Sequence, residues 1–187
     1  VTNRSGTIAT ETGDMIIRAG TLTNEKSELV ISSRHLGTEQ KPLLWVSPTV
    51  YFTTTVTKKE DYVSKDSAAA QIAAGRDLLI EGGSLNNHYS FIAAGRDLEA
   101  RTSSILNKGA ELLHRETWVA HQMGYIYAGT DYYLSRTGPV ASALTARGTL
   151  TLSASATIEH VAENPPPFVF HARNVLAPAL ALPGANN

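Results

Sequence analysis

Three aspartates recur at one position of a repeated motif and are the carboxylates best placed for chemistry. Asp77 and Asp97 follow Gly-Arg in two identical heptapeptides, and Asp14 holds the matching position in an earlier copy. If successive copies of the motif stack as turns of a β-helix, these carboxylates lie on one face and could serve a polysaccharide lyase or hydrolase through acid–base catalysis. An aspartate at a glycine turn can also bond local backbone amides, and this structural interpretation is favoured. We therefore assign no catalytic residue.

Other kinds of site find little support in the residue types. The six histidines show no metal-ligand spacing, and no nucleophile elbow or phosphate-binding glycine loop occurs. The absence of cysteine excludes disulfides and thiolate metal sites. Sixteen basic and seventeen acidic residues give a net charge of -1, which is too small to recruit nucleic acid. We expect no metal, no cofactor and no nucleic-acid partner.

The elements that position the aspartates come from an internal repeat. Ile72–Leu78 recurs without change as Ile92–Leu98, twenty residues later. Apolar and asparagine positions further along each copy also match, and two further copies are recognisable, one near the start and a degenerate one that has Thr149 in place of the aspartate. The matching positions beyond the heptapeptide are Leu22, Leu85, Ile105 and Ile158 for the apolar residue, and Asn24, Asn87 and Asn107 for the asparagine.

Each copy has the composition of short strands and tight turns. Apolar clusters such as Leu78–Ile80 alternate with Gly or Asn every six to eight residues, and helical spacing is never sustained. A unit of this length fits one rung of a β-solenoid, with rungs about 4.8 Å apart. The sequence therefore predicts an all-β, parallel β-helix in which equivalent residues stack in columns.

Glycines and asparagines are expected to form the corners of this coil. Gly75 and Gly95 precede the Arg-Asp pair, where we expect a positive φ that favours glycine. Asn24, Asn87 and Asn107 are assigned to a second corner, because asparagine tolerates the left-handed region. Their amides can also bond between rungs, so we expect Asn87 and Asn107 to form a ladder.

Two segments depart from the repeat, and both are expected to leave the coil. The first contains the β-prone stretch Thr49–Thr57, which favours a projecting β-hairpin or small flanking sheet, and the second is rich in aromatics.

The Pro- and Ala-rich end is expected to be a linker or packing strand, and the start without methionine suggests a piece of a longer protein. The predicted segments are a first rung at 1–24, an excursion at 25–67, two tandem rungs at 68–111, an aromatic-rich segment at 112–142, a degenerate rung at 143–162 and a tail at 163–187.

Aromatic residues of the two non-repeat segments form a possible recognition surface. Tyrosine and tryptophan combine rigid contact area with polar tips, although such residues can equally pack a non-repeat region against the coil. The residues considered for recognition are Trp45, Tyr51, Trp118, Tyr125 and Tyr127.

The tandem Ala-Ala-Gly-Arg-Asp-Leu motif, followed by Gly-Gly-Ser-Leu-Asn-Asn87, resembles the haemagglutinin repeats of filamentous haemagglutinin and of CdiA-type contact-dependent growth inhibition exoproteins. The resemblance covers about two fifths of the chain. It implies a long right-handed parallel β-helix with β-hairpin excursions, secreted to the outer surface of a Gram-negative bacterium through an outer-membrane partner transporter. It also implies a receptor, protein or glycan, on a host or neighbouring cell, and a structural and adhesive role without enzymatic activity. A carbohydrate-active β-helix enzyme and an inert spacer are the alternatives.

Overall fold

The computed structural model describes residues 1–42, 53–122, 125–126 and 130–163. All regular structure in these ranges is β-strand, so they contain no helix that could cross a membrane. The strands are β1 Thr2–Arg4, β2 Thr7–Ala9, β3 Met15–Glu25, β4 Leu29–Pro42, β5 Thr53–Asp66, β6 Gln71–Ala74, β7 Leu78–His88, β8 Phe91–Ala94, β9 Leu98–Gln122, β10 Tyr125–Ile126, β11 Thr130–Val140, β12 Ala143–Ala146 and β13 Leu150–Glu163.

The strands form two curled sheets, and the predicted all-β class is confirmed. A four-stranded sheet is parallel throughout, in the order β2, β6, β8 and β12. A nine-stranded sheet is mixed. Its repeat strands β1, β3, β7, β9 and β13 are parallel, whereas β4, β5, β10 and β11 pair antiparallel. Parallel pairing therefore holds for the repeats and not for the inserted segments.

Equivalent positions of the repeats face one another across the parallel strands. Ile72 pairs with Ile92, which in turn pairs with Leu144. Leu78 likewise pairs with Leu98. Because every second side chain of a strand points to the same face, this register brings the apolar positions into one core. The buried core residues are Leu22, Ile72, Ala74, Leu78, Ile80, Leu85, Ile92, Ala94, Leu98, Ala100, Ile105 and Leu144.

The two non-repeat segments meet in one antiparallel sheet. β4 pairs with β5, β5 pairs with the outer part of β9 over Thr53–Glu60, and β9 pairs on its other side with β11. We call β4, β5, β11 and residues 110–122 of β9 the hairpin sheet. We call each copy of the repeat, with its pair of parallel strands, a rung. Since β9 begins as a repeat strand at Leu98, one continuous strand runs from the rungs into the hairpin sheet.

The expected positive φ at Gly75 and Gly95 is wrong. Positive-φ glycines in the described part of the chain are Gly37 and Gly82. Gly75 and Gly95 are required by close approach between rungs, since a Cβ on Gly95 would overlap the carbonyl oxygen of Gly75, and a Cβ on Gly75 would overlap that of Glu11. The heptapeptide glycine therefore allows tight stacking and does not set the turn.

The expected left-handed corner at Asn24, Asn87 and Asn107 is also wrong. All three lie inside the extended strands β3, β7 and β9, with side chains in the core. The positive φ falls two positions after the asparagine column instead, at Tyr89, with a φ of 51°. Asparagine is therefore selected at these positions for its buried amide.

Candidate contact surface and its supporting ladders

A column of buried amides runs through the stacked rungs. The side-chain amide of Asn24 donates to Oδ1 of Asn87 at 2.8 Å, and that of Asn87 donates to Oδ1 of Asn107 at 2.7 Å. The alignment of the repeat copies did not reveal the first member of the column, Asn3. Its side-chain amide donates to Oδ1 of Asn24 at 2.8 Å. The signal was available, because Thr2-Asn3 pairs in register with Thr23-Asn24. Each amide therefore bonds the next rung in the same direction.

Further hydrogen bonds satisfy this column inside the core. The Asn87 amide also donates to the carbonyl of Ser90 at 2.8 Å and to Oγ of Ser142 at 2.9 Å. Ser142 in turn donates to Oδ1 of Asn107 at 2.7 Å. A buried amide without partners costs about 1–3 kcal/mol, whereas a satisfied network favours one register over others. The column therefore fixes how successive rungs stack.

The three aspartates form a second ladder on the outside of the rungs. Asp14 accepts from the Arg76 guanidinium at 3.0 and 2.8 Å and from the backbone N–H of Asp77 at 3.2 Å. Asp77 accepts in the same way from Arg96 and from the N–H of Asp97. Each carboxylate therefore bonds the following rung and not its own turn.

The environment of Asp14 and Asp77 favours their ionised form. The Arg76 guanidinium lowers the pKa of Asp14, with help from the Asp77 N–H. The Arg96 guanidinium similarly lowers the pKa of Asp77. A catalytic acid needs its pKa raised toward the working pH, which is the opposite shift. The ladder is therefore suited to joining rungs.

The hairpin sheet carries a band of paired charges on its surface. The carboxylate of Glu39 on β4 lies 2.8 Å from Lys58 and 2.9 Å from Lys41, and hydrogen bonds from Lys58 first and Lys41 second lower its pKa. Further along the same two strands, Arg34 forms an ion pair with Glu60. Its guanidinium also lies 5.8 Å from the ring centre of the exposed Tyr62. This band could make polar contacts with a partner.

A buried ion pair links the two non-repeat segments. Arg115 of β9 bonds Asp61 of β5, and Asp61 is only 2% exposed. Asp61 also accepts a hydrogen bond from Ser33 of β4 and one from the backbone N–H of Leu113 at 3.2 Å. Removing one member of such a pair leaves an uncompensated charge, so this cluster fixes the two segments together.

The structure describes only part of the predicted aromatic recognition surface. Trp45, Tyr51 and Tyr127 lie outside the described residues. The backbone of Trp118 pairs with Val56 of β5 and with Thr130 of β11, in the middle of the hairpin sheet. The backbone of Tyr125 pairs with Gln122, where β9 meets β10. Trp118 and Tyr125 are thus both carried by strands of the inserted region.

A groove of about 400 Å³ lies on the rungs themselves, lined by Arg101 and Thr102 of β9 and by Ser153, Ala154 and Ser155 of β13. It coincides with a register shift in β13 between Ala154 and Thr157. Glu99 binds the Arg101 guanidinium at 2.7 and 2.9 Å, so the charge at the groove is already compensated. This groove offers mainly hydroxyl groups.

The described residues thus divide into stacked rungs, joined by an inner amide column and an outer aspartate ladder, and a hairpin sheet that carries paired charges. Within those residues, no group of three His, Asp or Glu side chains could hold a metal ion. No protein-family model, curated protein or solved structure matches the chain, and its function is therefore inferred from its own geometry.

Proposed function

We propose that the chain is a structural and adhesive segment of a large secreted surface exoprotein, in which stacked rungs give reach and the hairpin sheet makes contact. The observation that carries the proposal is strand β9, which belongs to both parts. It starts in register with the repeat strand β7 and ends between β5 and β11. The contact surface is therefore part of the rung structure.

The rungs are proposed to form a right-handed parallel β-helix. Chain order supports it, because the four-stranded sheet runs β2, β6, β8, β12 while the repeat strands of the other sheet run β1, β3, β7, β9, β13. Successive copies of the repeat thus add to both sheets in the same direction. A coil of this kind extends by about 4.8 Å per rung.

The hairpin sheet is the proposed recognition surface. It is inserted between repeats without disturbing their register, since Asn24 of the copy before β4 and Asn87 of the copy after β5 are directly paired. Loops and insertions on a rigid support commonly carry function. The charged band around Glu39 provides polar groups for a partner, and β9 and β10 carry the aromatic residues Trp118 and Tyr125.

The repeat motif supports a proposal for export and partners. Its resemblance to haemagglutinin repeats supports secretion through an outer-membrane partner transporter to the surface of a Gram-negative bacterium. The segment would then act as an adhesin or as the stalk of a contact-dependent growth inhibition toxin. The proposed partner is a protein or glycan receptor on a host or neighbouring cell. Enzymatic activity is not proposed, because Asp14 and Asp77 are committed to arginines and backbone amides.

Removal of the β4–β5 hairpin tests this function. The backbone N–H of Ser67 donates to the carbonyl of Glu28 at 2.9 Å, so residues 29–66 can be replaced by two glycines without moving the rungs. Arg115→Leu is added, because the deletion removes its buried partner Asp61. Cell binding of the labelled protein is then measured by flow cytometry, and loss of binding with an unchanged β-sheet circular dichroism spectrum is expected.

A matched control changes an exposed charge on the rungs instead. Arg18→Ala removes a surface arginine of β3 that pairs with Glu81 of β7 at 2.7 Å and makes no ion pair with β4 or β5, and it should leave cell binding unchanged. Binding that survives the hairpin deletion would assign the chain to a spacer role. Cleavage of a glycan from a test panel, abolished by Asp97→Asn, would assign it to an enzyme.

A further inference from the structure

Strands β3, β7 and β9 share an interruption of their parallel ladder at equivalent positions. Pairing between β3 and β7 stops at Ala19 and resumes at Thr21. Pairing between β7 and β9 stops at Glu81 and resumes at Ser84. In both pairs the two strands skip equal numbers of residues, so the register is the same before and after the interruption.

The backbones of β3 and β7 lie in direct contact at this interruption. A Cβ on Gly82 would overlap the carbonyl oxygen of Ala19, and a Cβ on Gly83 would overlap that of Gly20. Only glycine allows two backbones to approach this closely. The interruption is therefore closed between the first two long repeat strands.

Between β9 and β13 the same interruption is open. Here β9 carries Thr102 and Ser103 at the positions of the two β7 glycines. β13 also uses one residue more than β9 between Ala154 and Thr157, which makes a bulge in β13. The groove of about 400 Å³ lies at this bulge. The extra residue therefore accounts for an opening that the pair β3 and β7 does not have.

Hydroxyl groups line the opening. Ser153 and Ser155 are exposed, and neither hydroxyl is engaged by another of the described residues. The hydroxyl of Thr102 donates to the carbonyl of Ser104 at 3.0 Å, which leaves its oxygen available as an acceptor. The groove can therefore both donate hydrogen bonds to a ligand and accept them from it.

The charge of Arg101 in the groove is balanced by two carboxylates. Its Nε and Nη2 donate to Glu99 at 2.7 and 2.9 Å, and its Nη1 lies 3.7 Å from Glu81. A guanidinium has five N–H donors, so protons remain for a neutral oxygen. An anionic ligand would instead be repelled by both glutamates. The groove therefore favours a neutral ligand that carries several hydroxyl groups.

We propose that this groove binds a neutral hexose unit of a glycan. Its volume lies within the usual range for small-ligand sites. The sugar hydroxyls exchange hydrogen bonds with Ser153 and Ser155, and one sugar oxygen accepts from Arg101. Ala154 and the methyl group of Thr102 contact the C–H face of the ring. Because the groove is open to solvent and its lining includes no aromatic ring, we expect a dissociation constant on the order of 1 mM.

The groove is a separate site from the hairpin sheet. Its lining residues lie in β9 before residue 110 and in β13, and none of them belongs to the hairpin sheet. The variant that lacks residues 29–66 should therefore bind the sugar as the wild type does. Sugar binding and cell binding are measured separately, so either proposal can fail without the other.

An NMR titration with the methyl glycosides of glucose, galactose and mannose tests the site. At least one glycoside should give saturable amide shift changes confined to residues 101–103 and 153–157. Ser155→Leu places a bulky side chain in the groove and should weaken binding by about tenfold or more. Thr151→Leu is the matched control, because it introduces the same side chain at an exposed position of β13 outside the groove, and it should bind as the wild type does.

A charged sugar tests the neutral class of ligand. Methyl glucuronide carries a carboxylate and should bind about threefold more weakly than the neutral glycosides, because Glu81 and Glu99 lie close to Arg101. Arg101→Gln retains a hydrogen-bond donor without the charge and should change the affinity for a neutral glycoside by less than about threefold.

Three results would overturn the proposal. The first is tighter binding of the glucuronide that Arg101→Gln abolishes. The second is the absence of saturable shift changes with all three neutral glycosides. The third is a set of shift changes that Ser155→Leu leaves unaltered.

Discussion

The amide of Asn24 donates to Oδ1 of Asn87 at 2.8 Å, although 63 residues separate the two in the chain. The same contact joins Asn87 and Asn107 at 2.7 Å across only 20 residues. The β4–β5 hairpin therefore enters between two rungs without changing how they stack. Such tolerance is expected when the inserted strands leave and return at one point, as Glu28 and Ser67 do.

The asparagine column should contribute strongly to stability. Asn87→Ala removes the side-chain hydrogen bonds that link β7 to β3, β9 and β12. Oδ1 of Asn107 and the amide of Asn24 are buried, and each then loses one partner. We expect the free energy of unfolding to fall by about 2–4 kcal/mol. Asn86→Ala, one position along β7 on the opposite face, is the control and should cost under about 0.5 kcal/mol. Urea denaturation measures both, and equal losses would remove the column's structural role.

The heptapeptide glycines should tolerate no side chain. Gly95→Ala forces a Cβ into the Gly75 carbonyl, so the rungs must separate locally, and we expect a loss of about 2 kcal/mol or more. Gly20→Ala is the matched control, since no atom lies within 4 Å of its Cβ position. Thermal unfolding distinguishes them. If Gly95→Ala were neutral, close approach between the rungs could not be the reason for this glycine.

Acid should weaken the stack through the outer aspartates. The folded pKa values of Asp14 and Asp77 lie below the ordinary value of 3.8, chiefly because of the Arg76 and Arg96 guanidinium groups. Their contribution is therefore present above pH 3.8 and is lost as the pH falls through the lower folded values. Asp77→Asn should flatten the pH dependence of urea unfolding in this window. Added salt should reduce the effect, because both groups are exposed.

The buried ion pair should control the hairpin sheet more than the rungs. Asp61→Ala leaves the Arg115 guanidinium buried without its carboxylate, and we expect about 3–5 kcal/mol of local destabilisation. Amide hydrogen exchange should accelerate in β4 and β5 and stay slow in β6 and β8. Glu60→Ala breaks only the exposed pair with Arg34 and should cost under about 1 kcal/mol. Uniform acceleration in all strands after Asp61→Ala would show that the two parts unfold together.

Sequence alone predicted the part of the fold that depends on repetition. Identical residues twenty positions apart had to face one another once strands paired, as Ile72 and Ile92 do. The reason for Gly95 could not be predicted, because the nearby carbonyl of Gly75 belongs to another rung and local patterns report only φ preferences. The pairing of β5 with β9 was missed for a similar reason, since nothing in either segment indicates which of two inserted hairpins lies beside the other.

Strand β9 has a mechanical consequence. A pull on a partner held at the hairpin sheet would pass along the covalent backbone from Gln122 to Leu98 and reach the rungs without crossing a flexible joint. There the hydrogen bonds from β9 to β7 on one side and to β13 on the other would share the load. These bonds lie across the direction of pull, so they would be loaded together in shear. If the hairpin sheet holds a partner as we propose, the force would therefore be carried by strand pairing and not by a connecting loop.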